Sequence, residues 1–176
     1  PVLIDNNTIT GNEARGIDIL NRNLSDMAFS IVNNQISSNG EEGIYVVNTS
    51  SPNQTQDMPS RTPLLADGSV LVSGPVILGR ISGNLVADNG DLNVDPTTTL
   101  NTSIGGLVLR IGTSQFGFMD VEINNNTFRG NFGDSAYFES FTSTVDPRTS
   151  TPTLFDPDPL SRLDIVSFRG NTGEFL

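Results

Sequence analysis

The chain is written on a beat. "IDNNTITGNEARGIDIL" (residues 4–20) lies over "IVNNQISSNGEEGIYVV" (31–47) at an offset of 27 residues. The same pattern returns in "ISGNLVADNG" (81–90), resumed by "GLVL" (106–109) after an insertion. It returns again in "INNNTFRGN" (123–131), continuing to "SAYF" (135–138), and last in "LDIVSFRGN" (163–171). Aligning the five copies turns single residues into columns. Ile4, Ile31, Ile81, Ile123 and Leu163 make one apolar column, and Ile9, Ile36, Val86, Phe128 and Phe168 a second. Asn12, Asn39, Asn89, Asn131 and Asn171 make an unbroken polar column. Asn7, Asn34, Asn84 and Asn126 make another, which Val166 interrupts. Beyond the turn, Ile17, Ile44, Leu107 and Ala136 align, and two residues later so do Ile19, Val46, Leu109 and Phe138.

Alternation within "GIDI", "GIYVV" and "GLVL" has the period of two that strands require. Copies of 20 to 50 residues built from short strands indicate a solenoid, in which each unit buries its apolar face only against its neighbours. Three strands per copy, separated by polar turns, describe one coil of a parallel β-helix. Five coils at the interstrand spacing make a rod of roughly 20–25 Å. β-Branched residues suit the inward face of such a stack. Asparagine suits the bends twice over. It tolerates the left-handed backbone region, and its amide both donates and accepts, so that stacked Asn side chains bond along the column. Asn7 and Asn12 are therefore assigned both tasks. Gly16, Gly43 and Gly106, just before the third strand, are expected to supply a backbone conformation that other residues resist.

The pattern I-x-N-N-x-I-x-x-N-x-x-x-G-I-x-I resembles the repeat of right-handed parallel β-helix proteins, the pectate-lyase-like superfamily. The resemblance covers nearly all of the chain outside three insertions, residues 48–75, 91–103 and 140–159. It implies an all-β, right-handed parallel β-helix over residues 1–176, a single segment of about five coils. It implies fold more than activity, and non-catalytic secreted or surface members fit best.

Composition narrows the chemistry. The chain has no His and no Cys, its nine basic residues are all Arg, and its net charge is -11. Disulfides, thiol nucleophiles and imidazole acid–base chemistry are excluded within it. An acidic surface repels phosphate backbones and anionic lipid, so neither nucleic-acid binding nor membrane insertion is expected. Pectate lyases and polygalacturonases of the resembled superfamily work with acids and basic residues, the latter with His and Lys in signature motifs that this chain lacks. No cofactor is required. A two-carboxylate hydrolase needs its acids about 5–9.5 Å apart, and Asp18 with Glu41 or Glu42 on neighbouring coils is the pair to examine.

Other candidate sites are few. Arg129 and Arg169 occupy one column in two "FRGN" tetrapeptides, a place where an anionic polysaccharide carboxylate would bridge them. Asp91-x-Asn93-x-Asp95 has the oxygen spacing that opens a calcium loop, though Pro96 stands in place of the turn glycine and Thr102 in place of the closing glutamate. At most a partial calcium site is expected there. Asp156 and Asp158 lie close together in the third insertion. Among the Asn-x-Ser/Thr sequons, Asn48, Asn53 and Asn101 fall in insertions and are the candidate glycan acceptors.

The expected function is a structural or adhesive module of a secreted, cell-surface or extracellular-fibre protein. Its expected partners are adjoining coils or domains of the same protein, or further copies stacked end to end, because the chain opens directly in a strand and reads as an excerpt of a longer solenoid. The alternative is a carbohydrate-active module, a lyase or hydrolase fragment or a glycan binder.

Overall fold

A computed structural model describes residues 1–22, 26–49, 76–90, 105–111, 117–133, 135–140 and 161–173. The described residues hold no helix. They form β1 (Val2–Asp5), β2 (Thr8–Thr10), β3 (Ile17–Arg22), β4 (Met27–Val32), β5 (Gln35–Ser37), β6 (Ile44–Thr49) and β7 (Val76–Ser82). These are followed by β8 (Leu85–Ala87), β9 (Leu107–Ile111), β10 (Gly117–Asn124), β11 (Thr127–Arg129), β12 (Ala136–Ser140), β13 (Ser161–Arg169) and β14 (Thr172–Gly173). Each strand pairs, in parallel, with the strand three later in the chain. The result is three parallel sheets: β1-β4-β7-β10-β13, β2-β5-β8-β11-β14, and β3-β6-β9-β12. We call them the first, second and third sheets, and call three successive strands a tier.

The columns of the sequence are registers of these sheets. Ile4 pairs with Ile31, Ile31 with Ile81 and Ile81 with Ile123. In the second sheet Ile9, Ile36, Val86 and Phe128 stack in order. In the third, Ile17, Ile44, Leu107 and Ala136 do the same. All three columns enter one core, in which Ile31, Ile36, Ile44, Ile81, Val86, Leu107, Ile123 and Phe128 have no accessible surface. Burying a side chain of this size stabilises by about 1.5–3 kcal/mol before entropy is counted. Packing between tiers is tight enough to need a gap: the Phe29 ring lies where a Cβ of Gly79, its register partner, would stand.

The fifth copy departs from the alignment. Leu163 pairs with Met119, Ile165 with Val121, and Phe168 with Ile123. A bulge at Val166, which is exposed, accounts for the shift. Leu163 therefore does not continue the Ile4 column and Phe168 does not continue the Ile9 column. The physical reason is the alternating apolar triplet of β10: Met119, Val121 and Ile123 accept Leu163, Ile165 and Phe168 once one residue is looped out.

The corners divide the two tasks first given to single asparagines. At the corner between the first and second sheets, the left-handed residues are Asn6, Asn33, Gly83, Asn125 and Gly170, with φ from 54° to 68°. The ladder asparagine is the next residue in each case. Asn7, Asn34, Asn84 and Asn126 donate from both backbone N–H and side-chain Nδ2 to the Oδ1 of the asparagine one tier on, over 2.9–3.1 Å. The last acceptor is Asn171, so this residue completes the Asn7 column and does not belong to the Asn12 column. At the second corner Gly11, Ser38, Asp88 and Gly130 turn the chain. There Asn12, Asn39, Asn89 and Asn131 form the second ladder.

Gly16, Gly43 and Gly106 have no left-handed backbone. They are required by proximity: a Cβ on Gly16 would stand 2.7 Å from the Gly43 carbonyl oxygen, and one on Gly43 2.7 Å from Val86 Cγ1. A further asparagine contact lies in the third sheet, outside the repeated columns. Asn21 and Asn48 pair in the third sheet, and Asn21 Nδ2 donates to Asn48 Oδ1 over 3.0 Å with both residues buried.

A ladder asparagine in the middle of the stack satisfies groups on both sides. Asn84→Ala leaves the Asn34 donors without their acceptor in a buried site and is expected to cost about 3 kcal/mol or more. Asn7→Ala, on the exposed first tier, removes donors only and is expected to cost about 1 kcal/mol. Equilibrium urea unfolding of the two variants beside the parent measures the difference. Equal losses would mean that the ladder carries no weight of its own.

Candidate functional site

The densest polar constellation among the described residues lies on the outer face of the third sheet. Alternation in β3, β6, β9 and β12 sends Ile17, Ile19, Ile44, Val46, Leu107 and Leu109 inward. It therefore places Asp18, Tyr45, Val108 and Tyr137 in one outer row and Leu20, Val47, Arg110 and Glu139 in the next. Arg15 approaches these rows from the turn just before β3.

Arg15 is held from three directions. Its Nε donates to Glu42 Oε2 over 2.7 Å, its Nη1 to Asp18 Oδ2 over 3.1 Å, and Glu41 Oε2 lies 3.6 Å away. The guanidinium carbon sits 3.8 Å from the centroid of the Tyr45 ring, a cation–π contact. Farther along, Arg110 Nε donates to Glu139. Two clusters result: Asp18, Arg15, Glu41, Glu42 and Tyr45 across the first two tiers, and Arg110 with Glu139 across the third and fourth.

Burial pulls the Arg15 pKa down, but the hydrogen bonds and charges of Glu42 and Asp18 together outweigh it, and the net shift is upward. For Arg110 the hydrogen bond that it donates to Glu139 dominates, against burial, and the shift is also upward. Both guanidiniums stay charged at any working pH. Asp18, Glu41 and Glu42, the acids examined as a hydrolytic pair of Asp18 with either glutamate, all turn an oxygen toward the same arginine. That arrangement suits a clasp between tiers better than an acid–base pair facing a substrate.

The other expected site residues are dispersed. Arg129 ends β11 in the second sheet, where it pairs with Ala87, while Arg169 ends β13 in the first sheet, where it pairs with Asn124. Their tetrapeptides are identical, but one crosses the second corner and the other the first, so the shared column does not exist. Asn48 is no loop residue. It lies in β6 with no accessible surface, so a glycan on it is incompatible with the folded chain. Asp91, Asn93, Asp95, Asn53, Asn101, Asp156 and Asp158 lie outside the described residues.

The clasp is also written in the sequence at the spacing of the repeat. Arg15 and Glu42 are one 27-residue step apart, as are Asp18 and Tyr45 and as are Asn21 and Asn48. Opposite charges in one column mark a bond between tiers as plainly as repeated asparagines do. No protein-family model, curated protein or solved structure matches the chain.

Arg15→Ala is expected to destabilise by about 1 kcal/mol, the scale of a partly exposed ion pair. High salt should shrink the difference without removing it, because the contact with the Tyr45 ring is screened less than the exposed charge pairs. Urea titrations at low and high ionic strength read both effects. A larger loss at high salt than at low would contradict the assignment.

Proposed function

We propose that this chain is a segment of a right-handed parallel β-helix that serves as a structural or adhesive module of a secreted, cell-surface or extracellular-fibre protein, of the pectate-lyase-like architecture. The observation that carries the reading is the pair of asparagine ladders that bind tier to tier with the same bonds, the first through five tiers and the second through four. Three parallel sheets that advance together, strand upon third strand, support the coil. An architecture so uniform transmits load along its axis and offers long, flat outer faces. The Arg15–Glu42 and Arg110–Glu139 pairs on one of those faces hold neighbouring tiers together.

On this reading the module's partners are further β-helical coils, neighbouring domains of the same protein, or copies stacked end to end. Polysaccharide contact and calcium belong to the insertions, where the Asp91, Asn93 and Asp95 spacing offers oxygen ligands.

The test joins a turnover assay on uronate-containing polymers to a glycan array, each with and without calcium. No turnover is expected. Cleavage or elimination of any of these polymers would replace the structural reading with the enzymatic one. Glycan binding without turnover would favour the glycan-binding form of the carbohydrate-active alternative, and absence of both would leave the structural reading standing.

A further inference from the structure

Two residues of the second ladder carry a chemical liability that the fold itself creates. Asn39 and Asn89 are each followed by glycine. The stack requires those glycines. A Cβ on Gly40 would strike the Glu13 carbonyl of the tier below, and Gly90 has φ +89° with its Cβ position 2.8 Å from Phe132 Cβ. Yet a glycine is the neighbour that least obstructs attack on an asparagine side chain, since no Cβ hinders its backbone nitrogen or restricts its torsions.

The reaction needs only water. The glycine nitrogen bonds to the asparagine Cγ and the Cγ–Nδ2 bond breaks. Ammonia leaves, carrying the proton given up by the glycine N–H. Water then opens the cyclic imide, at Cγ to give aspartate or at the backbone carbonyl to give isoaspartate.

We propose that Asn39-Gly40 and Asn89-Gly90 are self-modification sites held shut by the ladder, so that the chain records its own unfolding. Both reactants are restrained in the folded protein. The Gly40 N–H donates to Asn12 O over 2.8 Å and the Gly90 N–H to Asn39 O over 2.9 Å. Asn39 Oδ1 accepts from the backbone N–H and Nδ2 of Asn12, and its Nδ2 donates to Asn89 Oδ1 over 2.8 Å. Asn89 is held the same way, by Asn39 below and by Asn131 Oδ1 at 3.0 Å above. Both side chains are buried, at 2% and 1% exposure. The attacking nitrogen is thus engaged elsewhere, the amide cannot swing toward it, and water is kept from the imide.

Modification is also one-way for the fold. An aspartate at position 39 loses the donor that serves Asn89 and sets a carboxylate against the Asn89 oxygen in a buried site. Isoaspartate adds a backbone methylene and puts the tier out of register. A chain that has once been open long enough to react cannot rebuild the same stack.

The experiment incubates the full chain in mildly alkaline buffer, folded in one sample and in denaturant in the other. Peptide mass spectrometry then follows amide-to-acid conversion. Conversion at Asn39 and Asn89 is expected to run on the order of 100-fold faster in denaturant, as opening-limited chemistry does. Asn12 and Asn131, in the same ladder but followed by Glu13 and Phe132, should stay intact over that time. Equal rates with and without denaturant would overturn the proposal, and so would conversion of Asn12 and Asn131 alongside. Asn131→Ala supplies a second reading in the folded state, verified by circular dichroism. It takes the upper acceptor from Asn89 and should raise conversion at Asn89 more than at Asn39. An unchanged rate at Asn89 in that folded variant would show that the ladder is not the shield.

Discussion

An asparagine amide carries an acceptor oxygen and a donor nitrogen on one short, stiff side chain, and at each corner of this protein that is what joins one tier to the next. The Oδ1 takes two bonds from the asparagine behind it, while the Nδ2 gives one forward and one back to a carbonyl, such as Ile31 O for Asn84. Backbone pairing between tiers continues through the corners except at the ladder asparagine, whose N–H must find another partner. The ladder supplies it in the same pattern at tier after tier. Once it is in place, the apolar columns follow, because the register that aligns asparagines also aligns Ile31 with Ile81 and Ile36 with Val86.

The corner works because two adjacent residues divide two incompatible demands. The left-handed residue bends the chain and faces out; the next one turns in and bonds along the stack. Side chains at the bend are small or polar, as in Asn6, Ser38, Asp88 and Gly170. The outer faces are held by different means. On the third sheet, guanidinium–carboxylate pairs join the first tier to the second and the third to the fourth at sites still partly open to water, where each contact contributes less than a buried amide does. The core and ladders therefore set the fold, and the clasp trims it.

Most of the fold was legible because a stacked architecture writes its contacts into the sequence at constant spacing. Where the spacing held at 27 residues, every column matched its register. Legibility failed where one tetrapeptide served two places. "FRGN" at Phe128–Asn131 spans the second corner, and at Phe168–Asn171 the first. A left-handed glycine followed by a ladder asparagine is the solution at both corners, so local sequence does not tell them apart. That confusion created the supposed Arg129–Arg169 pair. Asn48 was misread for a related reason: a sequon is a local pattern, while burial in β6 is set by what Asn21 and Ile111 bring to either side.

The sequence by itself determined the all-β character, the strand period, the inward columns and the existence of ladders, because each is a relation between residues a fixed distance apart along the chain. Only the tertiary structure decided which of two neighbouring residues bends and which bonds, since that depends on backbone torsion and not on residue type. It alone decided the register of the fifth tier, where three apolar side chains found a matching triplet only by looping out Val166. It alone showed that Gly16 and Gly43 are needed for want of space, because the obstructing atoms belong to tiers distant in sequence.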